Sequence, residues 1–295
     1  MLKNKFKYFL IFCIILFVFN ILSTSIVKTA GELLVFVNNQ QVKQGTFLII
    51  KADKNQVKKI RFNQVEYSFN QDKKSGLSIC LIPVSYWLNS GNYKLEIIGD
   101  DLITSREIEV LSGDFVESHI TVDSSQEEII RPQNEEIIER KEEDNAKIRE
   151  ARQKSTSEKQ WQGNFTWPVE GTITTTFGAT RYVNGILNNR HSGIDIAAPR
   201  GNPVSAAADG IVKLSTDLLV TGNTIIIDHG WYVFSSYSHL DCLNVSVGEL
   251  VNKGDIIGTV GSTGVSTGPH LHWALTIHGV FVDPEGFVNM GEFHF

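Results

Sequence analysis

Glycine sets the grain of this chain. From Trp161 to Phe295 it recurs at Gly171, Gly185, Gly201, Gly210, Gly222, Gly230, Gly248, Gly254, Gly261 and Gly279, with short runs rich in Val, Ile and Thr between. A free-standing helix needs about 12 residues or more, and almost no interval offers that with helical periodicity. A strand needs about 5–6. Glycine also tolerates the positive φ that tight turns require. The spacing predicts an all-β domain over residues 161–295.

The first half repeats the pattern with different strand signatures. Leu33, Val35 and Val37 alternate, as do Tyr93, Leu95 and Ile97 before the Gly99–Asp100 turn. Phe47 to Ile50 and, apart from Ser78, Leu77 to Val84 are instead continuous apolar runs. Alternation marks a half-buried strand, and a short continuous run is consistent with a fully buried one. Six or seven strands over residues 31–112 predict a small β-sandwich. It carries no cluster of His, Cys or carboxylates, so a binding, spacer or purely structural role is expected of it.

Residues 113–160 change character. Asn134 is placed to cap a helix whose first turn holds Glu135 and Glu136, where negative charge is favoured. Glu136–Arg140 and Glu143–Lys147 are spaced to pair at i,i+4. With Ile137, Ile138 and Ile148 as its few apolar residues, the segment reads as a charged, partly helical linker whose role is spacing. Asn223 is expected to be a turn residue with a structural use, contact with the substrate or the surroundings of the site being the alternative.

Residues 1–30 read as a targeting segment. Lys3, Lys5 and Lys7 precede a run from Phe9 to Leu22 that is apolar apart from Asn20. That length lies between a signal core and a comfortable membrane span of about 20 residues. The lysines keep the N-terminus inside in either case. The expectation is an exported protein, acting in the cell envelope or secreted, with the segment cleaved as a signal peptide or kept as a membrane anchor. The net charge is −6, with no basic stripe interleaved with aromatics, which excludes nucleic acid as the expected partner. Cys80 and Cys242 are too far apart in sequence to resemble a disulfide scaffold, and both are expected to be small buried residues.

Four of the eight histidines fall in three short segments of the second domain. In His191-Ser-Gly-Ile-Asp195 an extended chain would hold the ends about 13 Å apart. The chain must bend for both to reach one ion, and Gly193 tolerates bending. In Gly268-Pro-His270-Leu-His272-Trp, a strand projects His270 and His272 on one face. Two adjacent imidazoles are costly in a dry core unless a metal or hydrogen bonds satisfy them. In Trp231 to Leu240, alternation puts Trp231, Val233, Ser235, Tyr237 and His239 on one face.

Together, HSGIDIAAPRGNPVSAAADGIV, GNTIIIDHG, YSHL and VNKGDIIGTVGSTGVSTGPHLHW resemble the lysostaphin-type (M23, LytM-like) zinc metallopeptidases over roughly Trp167 to Val288. The resemblance implies that His191, Asp195 and His272 bind one Zn2+ and leave a position for water. It implies that His239 and His270 flank that water as the proton-transfer and oxyanion pair. The implied substrate is peptidoglycan peptides. The first domain, through VKQGTFLIIKA and ICLIPVSYWLNSGNYKLEIIG, is similar to the N-terminal β-domain of some exported M23 peptidases. His119, His229, His278 and His294 are given no role. Two rivals remain in view: a catalytically dead adaptor, against which the ligand set is intact, and a biotinyl- or lipoyl-carrier domain, for which Lys253 would have to stand free at a hairpin tip.

Overall fold

The computed structural model describes residues 35–53, 57–99 and 103–289. The targeting segment, Cys13 and His294 lie outside them. Among the described residues no helix is long and apolar enough to cross a membrane.

The N-terminal unit contains β1 (Val35–Val37), β2 (Gln41–Lys43), β3 (Phe47–Ala52), β4 (Lys59–Phe62), β5 (Val65–Ser68), β6 (Asn70–Gln71), β7 (Ser78–Pro83), β8 (Gly91–Ile98) and β9 (Ile103–Leu111). They form a four-stranded sheet, β1-β3-β7-β6, and a five-stranded sheet, β2-β9-β8-β4-β5. Leu48, Ile50, Cys80 and Ile82 of the first sheet meet Ile60, Phe62, Leu95 and Ile97 of the second. This is the expected sandwich, with more and shorter strands than predicted.

The continuous runs of β3 and β7 have a specific cause. Their other faces, Phe47, Ile49, Ile79 and Leu81, pack into the core of the C-terminal domain with Trp161, Phe165, Phe177 and Phe287. The Phe47 and Phe287 rings lie 4.8 Å apart. Such side chains each contribute about 1.5–3 kcal/mol when fully buried. The first domain is therefore one wall of a shared core, where the sequence suggested a separate module.

The segment after it contributes β10 (Glu117–Ile120) and helices Ser124–Ile130 and Glu135–Gln153. Asn134 caps the second helix as expected, accepting from Glu136 N–H. The ion pairs differ from the sequence reading: Arg140 and Lys147 both turn to Asp144, at 3.2 and 2.9 Å. Buried Asp144 also accepts the Leu219 N–H at 2.7 Å. Ile148 and Ala151 pack on Leu214, Leu218, Ile226 and Phe234. The linker is thus bound along the C-terminal domain and does more than space.

That domain holds β11 (Thr172–Thr175), β12 (Thr180–Val183), β13 (Ile186–Arg190), β14 (Ile194–Ala197), β15 (Pro203–Ser205), β16 (Gly210–Leu218), β17 (Gly222–Asp228), β18 (Val233–Leu243), β19 (Leu250–Val251), β20 (Ile256–Val260), β21 (His270–Ile277) and β22 (Val280–Val282), then a short helix, Glu285–Val288. The main sheet runs β11-β14-β21-β18-β17-β16-β19, every pairing antiparallel. A second sheet, β10-β12-β13, joins the linker strand to a hairpin. The architecture is all-β with a helical linker, as expected. Cys80 is buried, but Cys242 is exposed, because β18 runs out of the core past its bulge.

Candidate metal centre

Strand register assembles the site. Asp195 pairs with His272, and Ala197 with His270, across β14 and β21. Directly opposed residues share a face, so Asp195 and His272 stand side by side. His191 reaches them from the segment before β14. Gly193 serves that approach through its lack of a side chain: a Cβ there would lie 2.3 Å from the Trp273 carbonyl oxygen. The sequence reading gave it a bend; the structure gives it a close backbone contact.

His239 arrives by a route alternation does not predict. Ser238 pairs with His272, while Tyr237 faces the opposite side, in the core, where its hydroxyl accepts the Ala207 N–H at 2.8 Å. His239 would share Tyr237's face. Instead it adopts a left-handed backbone, φ 61°, within a stretch where the β17–β18 and β18–β20 registers shift. A bulge of this kind re-aims a side chain, and it delivers His239 to His270, with ring centroids 4.8 Å apart.

Three potential donor atoms converge. His191 Nε2 is 2.9 Å from Asp195 Oδ1 and 2.9 Å from His272 Nδ1, and His272 Nδ1 is 2.8 Å from Asp195 Oδ1. The second nitrogen of each neighbouring imidazole fixes its tautomer. His191 Nδ1–H donates to the Thr176 carbonyl at 3.0 Å, which leaves Nε2 a lone pair facing the centre. His239 Nδ1–H donates to the Thr263 carbonyl at 2.8 Å, and His270 Nδ1–H to the Gly268 carbonyl at 2.8 Å. Both therefore present Nε2 as the free nitrogen. His270 Nε2 stands 3.7 Å from Asp195 Oδ1. Lone pairs brought this close repel unless a cation lies among them, and two imidazoles with one carboxylate suit a zinc-type ion. Among the described residues, this trio is the cluster of three or more His, Cys, Asp or Glu able to hold an ion.

The electrostatics agree. Burial pushes His239 down to about 3, helped by the nearby His270 and His272. Burial pushes His272 down to about 4 against the pull of Asp195. Burial alone would raise Asp195, but the polar contacts of its Oδ1 with the His191 and His272 rings outweigh it and hold the carboxyl well below the usual range. A neutral His272 beside an ionised Asp195 is a protonation state ready for a metal.

The cleft beside the trio, about 330 Å³, is lined by His239, His270, Asp195, Arg181, Pro269 and, from the linker, Ile120 and Val122. Sequence reading missed Arg181 and the linker residues. Arg181 has no motif partner nearby in sequence, and Ile120 arrives through a parallel strand pairing that periodicity does not reveal. The Thr176 and Thr263 contacts use main-chain oxygens and so leave no side-chain signature. His229, in the connection between β17 and β18, is buried, its ring bonding Asp209 O and Ser235 Oγ at 2.7 Å each. Asn223 is the second residue of β17, not a turn residue, and its Nδ2 donates to the Asp241 carbonyl at 3.2 Å. Lys253, the residue a carrier domain would need free, donates through Nζ to Asn164 O at 3.2 Å.

Comparison with known proteins adds independent support. Residues 189–284 match the model of peptidase family M23. Over 94 residues, 32% of this chain, it is 46% identical to the DD-carboxypeptidase/endopeptidase Mpg of Neisseria meningitidis. Over 94 residues, again 32%, it is 42% identical to the peptidoglycan DD-endopeptidase ShyC of Vibrio cholerae. The chain spans 22% of the length of each of these relatives. A crystal structure described as a peptidase M23 from Pseudomonas aeruginosa matches with a TM-score of 0.61 at 24% identity, covering 83% of this chain and 94% of that one. At that identity the match speaks for the fold alone.

Proposed function

This chain belongs to peptidase family M23 through residues 189–284, and from that premise we propose that it is a zinc-dependent endopeptidase that hydrolyses peptide bonds in peptidoglycan cross-links. The observation that carries the reading is the convergence of His191 Nε2, Asp195 Oδ1 and His272 Nδ1 at 2.8–2.9 Å beside two further imidazoles.

His191, Asp195 and His272 would hold the ion. Bound there, zinc supplies Lewis acidity towards a peptide carbonyl and makes water a nucleophile near neutral pH. The remaining work belongs to His239 and His270. Each ring is anchored through Nδ1–H to a main-chain carbonyl, so each offers Nε2 to the cleft. One Nε2 takes the proton released by the attacking water. The imidazolium N–H so formed donates to the developing oxyanion and then returns the proton to the leaving amine. Burial of His239 keeps it neutral, hence able to accept, at working pH.

The relatives' names, DD-carboxypeptidase/endopeptidase and DD-endopeptidase, support D-alanyl cross-links as the bond cut. The basic-then-apolar pattern of residues 1–30 supports action in the cell envelope, outside the cytoplasmic membrane. Residues 31–112 act as a wall that braces the catalytic domain, and residues 113–160 as a strap bound along it.

The test is to express residues 31–295, measure bound zinc, and incubate the protein with purified sacculi, with and without a chelator. Release of new amino termini that stops on chelation is expected. A folded, zinc-loaded protein that cuts no cross-link in several wall types would overturn the reading. His270→Ala should keep zinc yet lose most activity, whereas His272→Ala should lose both.

A further inference from the structure

Asp195 has two carboxylate oxygens, and the structure uses them differently. Oδ1 faces His191 and His272, while Oδ2 accepts a hydrogen bond from Arg181 Nη2 at 3.0 Å. We propose that Arg181 is a positioning residue that occupies Oδ2 and so obliges Asp195 to meet the metal through Oδ1 alone. This rests on the metal reading above and adds to it the residue that sets the denticity of the carboxylate.

Three independent features aim the guanidinium. First, the β12–β13 register shifts between Arg181 and Tyr182, and a bulge turns a side chain away from simple alternation. Second, the linker strand β10 lies parallel to β12, with Ser118 opposite Arg181. That pairing is closed at both ends by Thr180 N–H to Val116 O at 2.8 Å and Asn184 N–H to Ile120 O at 3.0 Å. Third, Arg181 Nε is buried with no partner. A buried N–H left unbonded costs about 1–3 kcal/mol. The fold accepts that cost to hold Nη2 on Asp195, and the ion pair sits largely out of solvent, with Arg181 22% and Asp195 10% exposed at the side chain.

The chemical consequence is twofold. A carboxylate freed from Arg181 can swing to offer both oxygens, raising the coordination number and closing the position water needs. Arg181 also adds positive charge behind the donor oxygen, so the metal retains more of its own charge for polarising the substrate.

Cobalt(II), which reports coordination number in its visible bands, tests this on the full-length protein beside zinc affinity measured against a chelating indicator. In Arg181→Met we expect zinc affinity to rise severalfold, because the carboxylate gains a second donor oxygen and loses the positive charge behind it. We expect the cobalt bands to weaken as the site gains a ligand, and kcat to fall with KM little changed. Arg181→Lys, which keeps the charge but not the planar fork, should bring each partly back towards wild type. A folded Arg181→Met protein with wild-type affinity and wild-type bands would overturn the proposal. Should that variant be insoluble, Arg181→Lys carries the test, and wild-type values for both readouts would overturn it equally. If the wild-type protein binds neither metal, the metal reading itself falls. If it binds both and Arg181→Met changes nothing, only the role of Arg181 falls.

Discussion

Two regions of the C-terminal domain bury imidazoles, and they use burial in opposite ways. In the core, His229 is fully enclosed and both ring nitrogens are spoken for, by Asp209 O and Ser235 Oγ. At the rim, His191, His239 and His270 each have one nitrogen bonded to a carbonyl and the other turned towards a common centre. Burial lowers the proton affinity in both places, to about 4 at His229 and about 3 at His239. Burial and a depressed pKa therefore do not mark a site. The mark is the second nitrogen, satisfied in one region and held open in the other.

The comparison can be broken first at the rim. His272→Ala should lower zinc affinity by more than about 100-fold, beyond the cost of an outer-shell partner, with the thermal midpoint of the metal-free protein little changed. An equilibrium titration and a melting curve read both. Zinc binding that survives would mean the open nitrogens are not ligands.

His229→Leu should do the reverse. It leaves the Asp209 carbonyl without its buried donor, at about 1–3 kcal/mol, and takes one of two side-chain partners from the Ser235 hydroxyl, while the folded fraction keeps its zinc. Denaturant unfolding and metal analysis on one sample separate the two effects.

A pH series sharpens the same contrast. His229 has a folded pKa near 4 against about 6.5 unfolded. The unfolded state thus binds the extra proton first, and stability falls as pH drops from about 6.5 towards 4. The loss is on the order of 3 kcal/mol for this one group, at about 1.4 kcal/mol per unit. Wild type minus His229→Leu, measured by denaturation at each pH, should isolate that slope. Equal slopes would show that His229 is protonated in the native core.

The smallest effect should come from Gly193→Ala. Its Cβ meets the Trp273 carbonyl, so β14 must shift by a fraction of an ångström relative to β21. Strain of this kind costs about 1–3 kcal/mol. The displacement should lower zinc affinity as well as stability, whereas Ala at exposed Gly201, which has open space around it, is strained only through its φ and should leave zinc affinity intact.

Much of this was legible in the residues. The glycine spacing gave the strands, and HxH on a strand gave two imidazoles on one face. What period-two reasoning could not give was the parity change at His239, because a left-handed residue in mid-strand has no signature when it is not glycine. The apolar runs at Phe47–Ile50 and Leu77–Val84 signalled strands covered on both faces, yet not what covered them. The partners, Phe177 and Phe287, lie far along the chain. The linker misled for a related reason. Its charges suggested solvation, but Asp144 is buried against the Leu219 N–H, and β10 joins a sheet whose other strands come from the next domain.

The packing of Phe47 on Phe287 also bears on how the molecule comes into being. A chain is made from its N-terminus, so the residues of the four-stranded sheet emerge well before the strands that cover its second face. Until Phe165, Phe177 and Phe287 follow, Phe47, Ile49, Ile79 and Leu81 lack the partners that cover them, the kind of transient apolar surface that invites aggregation. Completion waits on contacts that are distant in sequence, which makes folding slow. Such a molecule depends on being shielded while it is young, and its two halves are expected to mature together.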